Sequence, residues 1–180
     1  MRRTNQISGA LVIILLLFHA IYGAFVMMGI YAGGRMIPKI MTALLIIALV
    51  VHVISAVLLS RYTIKAVRKT GAFYLKQNLR FVAVRISGLC VVLFLIDHAM
   101  LFYGIHDGAY FLNVFDIKEL GMAILFVISL LMHMLLNISP MLMGFGLGIK
   151  TPLKGDIAAI LSVAMLFAAM GFLVYYIRWL

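Results

Sequence analysis

The sequence predicts an all-α integral membrane protein of five transmembrane helices, the first four forming an up-and-down bundle. Three observations carry that prediction. Hydrophobic residues make up 66% of the 180-residue chain and charged residues 11%, with a mean hydropathy of +1.20; soluble domains are about half apolar and about a quarter charged. Five apolar runs reach the roughly 20 residues that cross a bilayer, at about 8–31, 41–60, 83–104, 119–147 and 156–178. The third observation is where the charge falls. Eleven cations (Arg2, Arg3, Arg61, Lys65, Arg68, Lys69, Lys76, Arg80, Arg85, Lys150 and Lys154) lie on one side of a five-span arrangement, and four (Arg35, Lys39, Lys118 and Arg178) on the other. That asymmetry is the positive-inside pattern. It places the N-terminus in the cytoplasm and the chain, as one domain over 1–180, in the cell's inner membrane as a multi-pass protein.

The formal net charge of +10 therefore reads as basic segments facing anionic headgroups, not as a nucleic-acid surface. The first run, 8–31, is too long for a cleavable leader, and "IYAGGRM" leads straight towards a second span. "GGRMIPK" turns the chain, with Gly33, Gly34 and Pro38 as helix breakers. After the second run, "SRYTIKAVRKTGAFYLKQNLR" reads as a long basic loop able to seat a cytoplasmic partner. The third run is followed by "GIHDGAYFLNVFDIKE", an outer loop with an aromatic middle. Pro140 should bend the fourth span or end its regular part. In "GIKTPLKGD", Gly148 and Pro152 close that helix and Asp156 caps the next. Tyr175, Tyr176 and Trp179 stand where an interfacial aromatic belt is expected. Cys90, the single cysteine, excludes an internal disulfide.

Four of the five histidines lie one per run: His19, His52, His98 and His133. Hydrocarbon disfavours imidazole, so four such placements ask for a shared purpose. Polar partners in the spans are few: Ser55, Asp97, Asn137 and Ser139. A proton relay mixes histidine with acids, and Asp97 is the only acid within a span. Zinc wants three or four converging ligands. Haem iron needs two neutral imidazoles, so two bis-histidine haems b use all four. His19 and His98 are 79 residues apart and His52 and His133 are 81 apart, while "FHAIYGAF" resembles "DHAMLFYG". The chain thus reads as two similar helical hairpins plus one extra helix. Facing side chains of a four-helix bundle are a known setting for a cofactor.

The stretch "VRISGLCVVLFLIDH", with Arg85, Ser87, Gly88 and His98, resembles the third-helix motif of the dihaem cytochrome b subunit of succinate dehydrogenases and fumarate reductases. "HMLLNISPMLMGFG", with His133, Asn137 and Gly146, is similar to the fourth-helix motif, although Asn137 and Ile138 replace the commoner small residue. The first two helices fit more loosely. The resemblance implies a membrane anchor for a flavoprotein and an iron–sulfur subunit, exchanging electrons with a quinone, commonly menaquinone. It implies His52 and His133 on the haem nearer the cytoplasm and His19 and His98 on the outer one. Arg80, Arg85 and Ser87 are sensible propionate partners, with headgroup anchoring the other reading of the arginines. Some members carry a glutamate two residues before the fourth-helix histidine, as part of a proton route; here that residue is Leu131, which argues against that route. Asp97 has three readings: proton exchange with quinone, acceptance of a hydrogen bond from another helix, or a protonated carboxyl in hydrocarbon. The rival classes are the cytochrome b anchor of another oxidoreductase, such as a hydrogenase, and a cofactor-free membrane protein.

Overall fold

In the computed structural model, residues 1–70, 75–113, 115–147 and 152–179 are described. Gly148 and Lys150 lie outside these residues, as do the side chains of Lys76 and Trp179. The chain forms α1 (Arg2–Met27), α2 (Met36–Thr70), α3 (Leu75–Leu101), β1 (Phe102–His106), β2 (Ala109–Leu112), α4 (Ile117–Gly144) and α5 (Leu153–Trp179). All five helices are long and apolar enough to cross a membrane. The shortest has 26 residues, about 39 Å at 1.5 Å per residue, against a hydrocarbon core of about 30 Å. Their outward faces carry Ile, Leu, Val and Met, as in the stripe Ile86, Leu89, Leu93, Ile96 and Met100 of α3. Such a surface is stable against lipid tails and not against water.

Helix order in space differs from helix order in the chain. Helix α1 packs along α2 and α5, and α4 packs along α3 and α5, whereas α1 meets α4 only briefly. Among the described residues α2 and α3 share no packed interface. The fifth helix is therefore the brace between two hairpins, α1–α2 and α3–α4. Close approach explains part of this: a side chain at Gly171 of α5 would come within 2.9 Å of the Ala24 Cα of α1. Small residues are what let membrane helices touch backbone to backbone. The core follows the brace, with Leu161, Met165 and Phe172 of α5 packed among Ala123, Val127, Met134 and Ile138 of α4.

Several expectations are corrected. Residues 61–70 continue α2 and 75–80 belong to α3, so the basic segment is helical over most of its length; before Gly71 it contains no helix breaker, and Arg, Lys and Ala favour helix. Pro38 does not break a helix. It stands in the first turn of α2, where a missing N–H costs nothing. Helix α5 starts at Leu153, so Asp156 sits in its first turn and not at its cap. The fourth helix ends at Gly144, and Gly146 with φ +78° makes the left-handed exit. Its start is capped by Asp116, whose Oδ1 accepts from the N–H groups of Lys118 and Glu119 at 2.8 and 3.1 Å.

The second connecting loop is a β-hairpin, which the reading above missed. Its turn, Asp107-Gly108, has φ +48° and +78°, the pair of positive values a tight hairpin turn demands. The hairpin lies across one end of the helices. Gly33 N–H donates to Gly108 O at 2.5 Å, and Leu112 N–H donates to the Tyr175 hydroxyl at 3.3 Å. Tyr175 is thus buried against Phe115 and not part of an interfacial belt. The opposite end carries Arg2, Arg3, Arg61, Lys65, Arg68, Lys69 and Arg80; these are termed the hairpin end and the basic end.

Candidate cofactor site

Four helices place one histidine each at two levels. Nearer the hairpin end, the rings of His19 (α1) and His98 (α3) meet almost at right angles with centres 6.4 Å apart. One metal ion held by both rings requires about 6 Å, from two metal–nitrogen bonds of about 2 Å plus about 1 Å from each nitrogen to its ring centre. His98 is enclosed by Phe102, Phe126 and Phe172, at 5.0 to 6.0 Å. Nearer the basic end, His52 (α2) and His133 (α4) lie close enough to interact electrostatically.

The hydrogen bonds of the rings decide which nitrogen is free. His52 Nδ1 is 3.3 Å from the Asn5 carbonyl. A carbonyl only accepts, so Nδ1 carries the proton and Nε2 keeps its lone pair. His133 Nδ1 is 3.0 Å from Ser87 Oγ, whose own proton goes to Val84 O at 3.0 Å. Here too the ring meets its neighbour through Nδ1 and leaves Nε2 turned to other partners. His19 Nδ1 pairs with Thr42 Oγ1 at 3.1 Å. Ligating histidines are held in this way through the nitrogen that does not bind metal. His98 Nδ1 is buried with no partner among the described residues.

Thr42, Ser87 and the Asn5 carbonyl were not among the partners expected. Ser55 donates to Asn5 Oδ1 at 3.0 Å and steadies the carbonyl's residue instead of the ring. Asn137 Nδ2 donates to the His133 backbone carbonyl at 2.7 Å. Ser87, expected near propionates, is engaged with His133. Arg80 donates from Nη2 to Leu136 O at 2.8 Å. The Arg85 guanidinium lies over the Phe81 ring, 3.2 Å from its centre, and donates from Nη1 to Phe81 O at 3.0 Å. Its Nε is buried and has no partner among the described residues. Asp97 is half-buried and makes no hydrogen bond to the described residues.

Two glycines complete the basic-end level. A Cβ at Gly9 would stand 3.2 Å from His52 Cε1, and one at Gly88 would stand 3.1 Å from His133 Cε1. Each imidazole therefore rests in a hollow made by a missing side chain on the adjacent helix. A sequence signal existed for this and was overlooked. Every span histidine is preceded ten residues earlier by a small residue: Gly9, Thr42, Gly88 and Ala123. Ten residues rise about 15 Å, half the hydrocarbon thickness, so on an antiparallel neighbour the small residue falls at the level of the other histidine.

Fold and site together define a helical, multi-pass membrane protein with two histidine pairs between its helices. No family model matches the chain, and neither curated proteins nor solved structures give a match.

Proposed function

We propose that the chain is a dihaem cytochrome b that anchors a succinate dehydrogenase or fumarate reductase on the membrane and exchanges electrons with quinone. The observation that carries this reading is the engagement of the basic-end pair: His52 and His133 contact Asn5 O and Ser87 Oγ through Nδ1, which leaves Nε2 of each ring for a ligand. A haem brings four ring nitrogens and asks the protein for two more. That suits a chain in which no group of three or more His, Cys, Asp or Glu able to hold a metal ion occurs among the described residues. His52 and His133 would hold the basic-end haem, and His19 and His98 the hairpin-end haem. When bound, haem b supplies one-electron chemistry at iron. The hollows at Gly9 and Gly88 seat the two imidazoles, and the orphaned Arg85 Nε would fit a propionate oxygen.

The basic end suits a soluble redox partner. Helix α2 has 35 residues, about 52 Å, so more than 20 Å of it exceeds the hydrocarbon. Arg61, Lys65, Arg68 and Lys69 on this overhang are all exposed, and their spacing puts them on one side of the helix. They face the flavoprotein and iron–sulfur subunits from the cytoplasm. Purified in mild detergent from the membranes in which it is native, the chain is expected to carry two haems b by pyridine haemochrome and to bring a flavoprotein with it. Well-folded protein without haem would overturn the reading; two haems with a hydrogenase partner would move it to the rival oxidoreductase class.

Asp97 is the proton-exchanging group for quinone at the hairpin end in this reading. It lies nine residues from Gly88, two and a half turns, hence on the side of α3 turned away from α4. That is the side where α3 lacks a packed neighbour in α2. Asp97→Asn is expected to keep both haems and slow quinol turnover at least tenfold, about 1.4 kcal/mol in barrier. Unchanged turnover with full haem content would assign Asp97 a purely structural role.

A further inference from the structure

We propose that Arg80 braces the break that Pro140 makes in α4, and that it thereby positions His133. In an uninterrupted helix the carbonyl of residue 136 accepts from the N–H of residue 140. Pro140 has no N–H, and its ring presses against that carbonyl. Helix α4 nevertheless runs on to Gly144. The carbonyl oxygen of Leu136 is left without its backbone donor. Arg80 supplies the missing donor, its Nη2 standing 2.8 Å from Leu136 O. The bond is charge-assisted and stronger than the backbone bond it replaces.

The same stripe of α3 holds the histidine. Arg80 and Ser87 are seven residues apart, two helical turns, and grip α4 at Leu136 O and at His133 Nδ1 respectively. Between these two points Asn137 Nδ2 bonds the His133 carbonyl at 2.7 Å. The segment from His133 to Leu136 is thus held at both ends by one face of α3. Releasing the Arg80 end lets the bend at Pro140 change and takes His133 off Ser87. This assigns Arg80 a positioning role, distinct from holding a propionate or a lipid headgroup. The positioning half rests on the cytochrome reading; the bracing half does not.

A double-mutant cycle separates these roles, because Pro140→Ala restores the N–H that Arg80 replaces. The first readout is the thermal midpoint of the full chain in detergent, which needs no cofactor chemistry. Arg80→Gln is expected to lower it by about 5 °C with Pro140 present, and by less than a third of that in the Pro140→Ala background. Equal losses in both backgrounds would overturn the brace. The second readout is haem content, where Arg80→Gln should lower occupancy of the His52/His133 level and the double variant should regain it. Recovered stability with haem still missing would make Arg80 a direct haem ligand-shell residue and overturn the positioning half. If Arg80→Gln fails to fold, a folded double variant supports the brace and an unfolded one overturns it. A haem-free parent protein would refute the cytochrome reading while leaving the thermal cycle to decide the brace.

Discussion

Alanine at His52 or at His133 is expected to remove one and the same haem, halving the pyridine haemochrome yield in either case. Alanine at His19 or His98 is expected to remove the other. A double variant at His52 and His98 should then carry none. The expectation follows from the pairing of levels, with His19 and His98 ring centres 6.4 Å apart and His52 within electrostatic range of His133. On the cytochrome reading each histidine pair would hold one haem, and a level left with a single imidazole should retain it weakly. A His52/His98 double variant that keeps one haem would show that the pairs cross between levels. The hydroxyl partners give a finer version of the same test: Ser87→Ala should loosen only the basic-end haem, because only His133 depends on it.

Leucine at Gly88 is expected to cost nearly all of the basic-end haem and to leave the hairpin-end haem in place. A Cβ there would already be 3.1 Å from the His133 ring, and a full side chain must displace that imidazole. Leucine at Gly9 should act in the same way on His52, where a Cβ would lie 3.2 Å from the ring. Gly23 is the control, since a side chain there meets nothing within 4 Å. Removing a glycine from a helix interior is favourable by up to about 1 kcal/mol, so Gly23→Leu should keep both haems. Equal haem loss at Gly23 and Gly88 would reduce the hollow to general disturbance of the helices.

The five helices were legible because membrane length and hydropathy leave little freedom, and four of the five histidines stand one per span. Boundaries were less legible. Helix α2 was cut at 60 because charge was read as loop, although Arg, Lys and Ala extend a helix readily once it leaves the hydrocarbon. The hairpin went unseen although Asp107-Gly108 lies between "FYGIH" and "AYFL", a strong short-range turn signal. Ring partners were the hardest to foresee. Candidates were sought among buried polar side chains, whereas His52 uses a backbone carbonyl near the chain's start, which no residue type announces. The place of α5 was hidden for a different reason. It is apolar on all sides, so its pattern has no preferred face, and such a helix belongs between neighbours instead of at an edge. Reading it as an extra helix undervalued it.

That central place has a consequence for biosynthesis. Every histidine-bearing helix precedes α5 in the chain, so a ribosome delivers both hairpins to the membrane before it delivers the element that joins them. Even in the complete chain α1 and α4 touch only briefly, and α2 and α3 share no packed interface among the described residues. On the cytochrome reading, a haem would enter between the hairpins before the last helix joins them. A chain ordered the other way would close the door before the guest arrived.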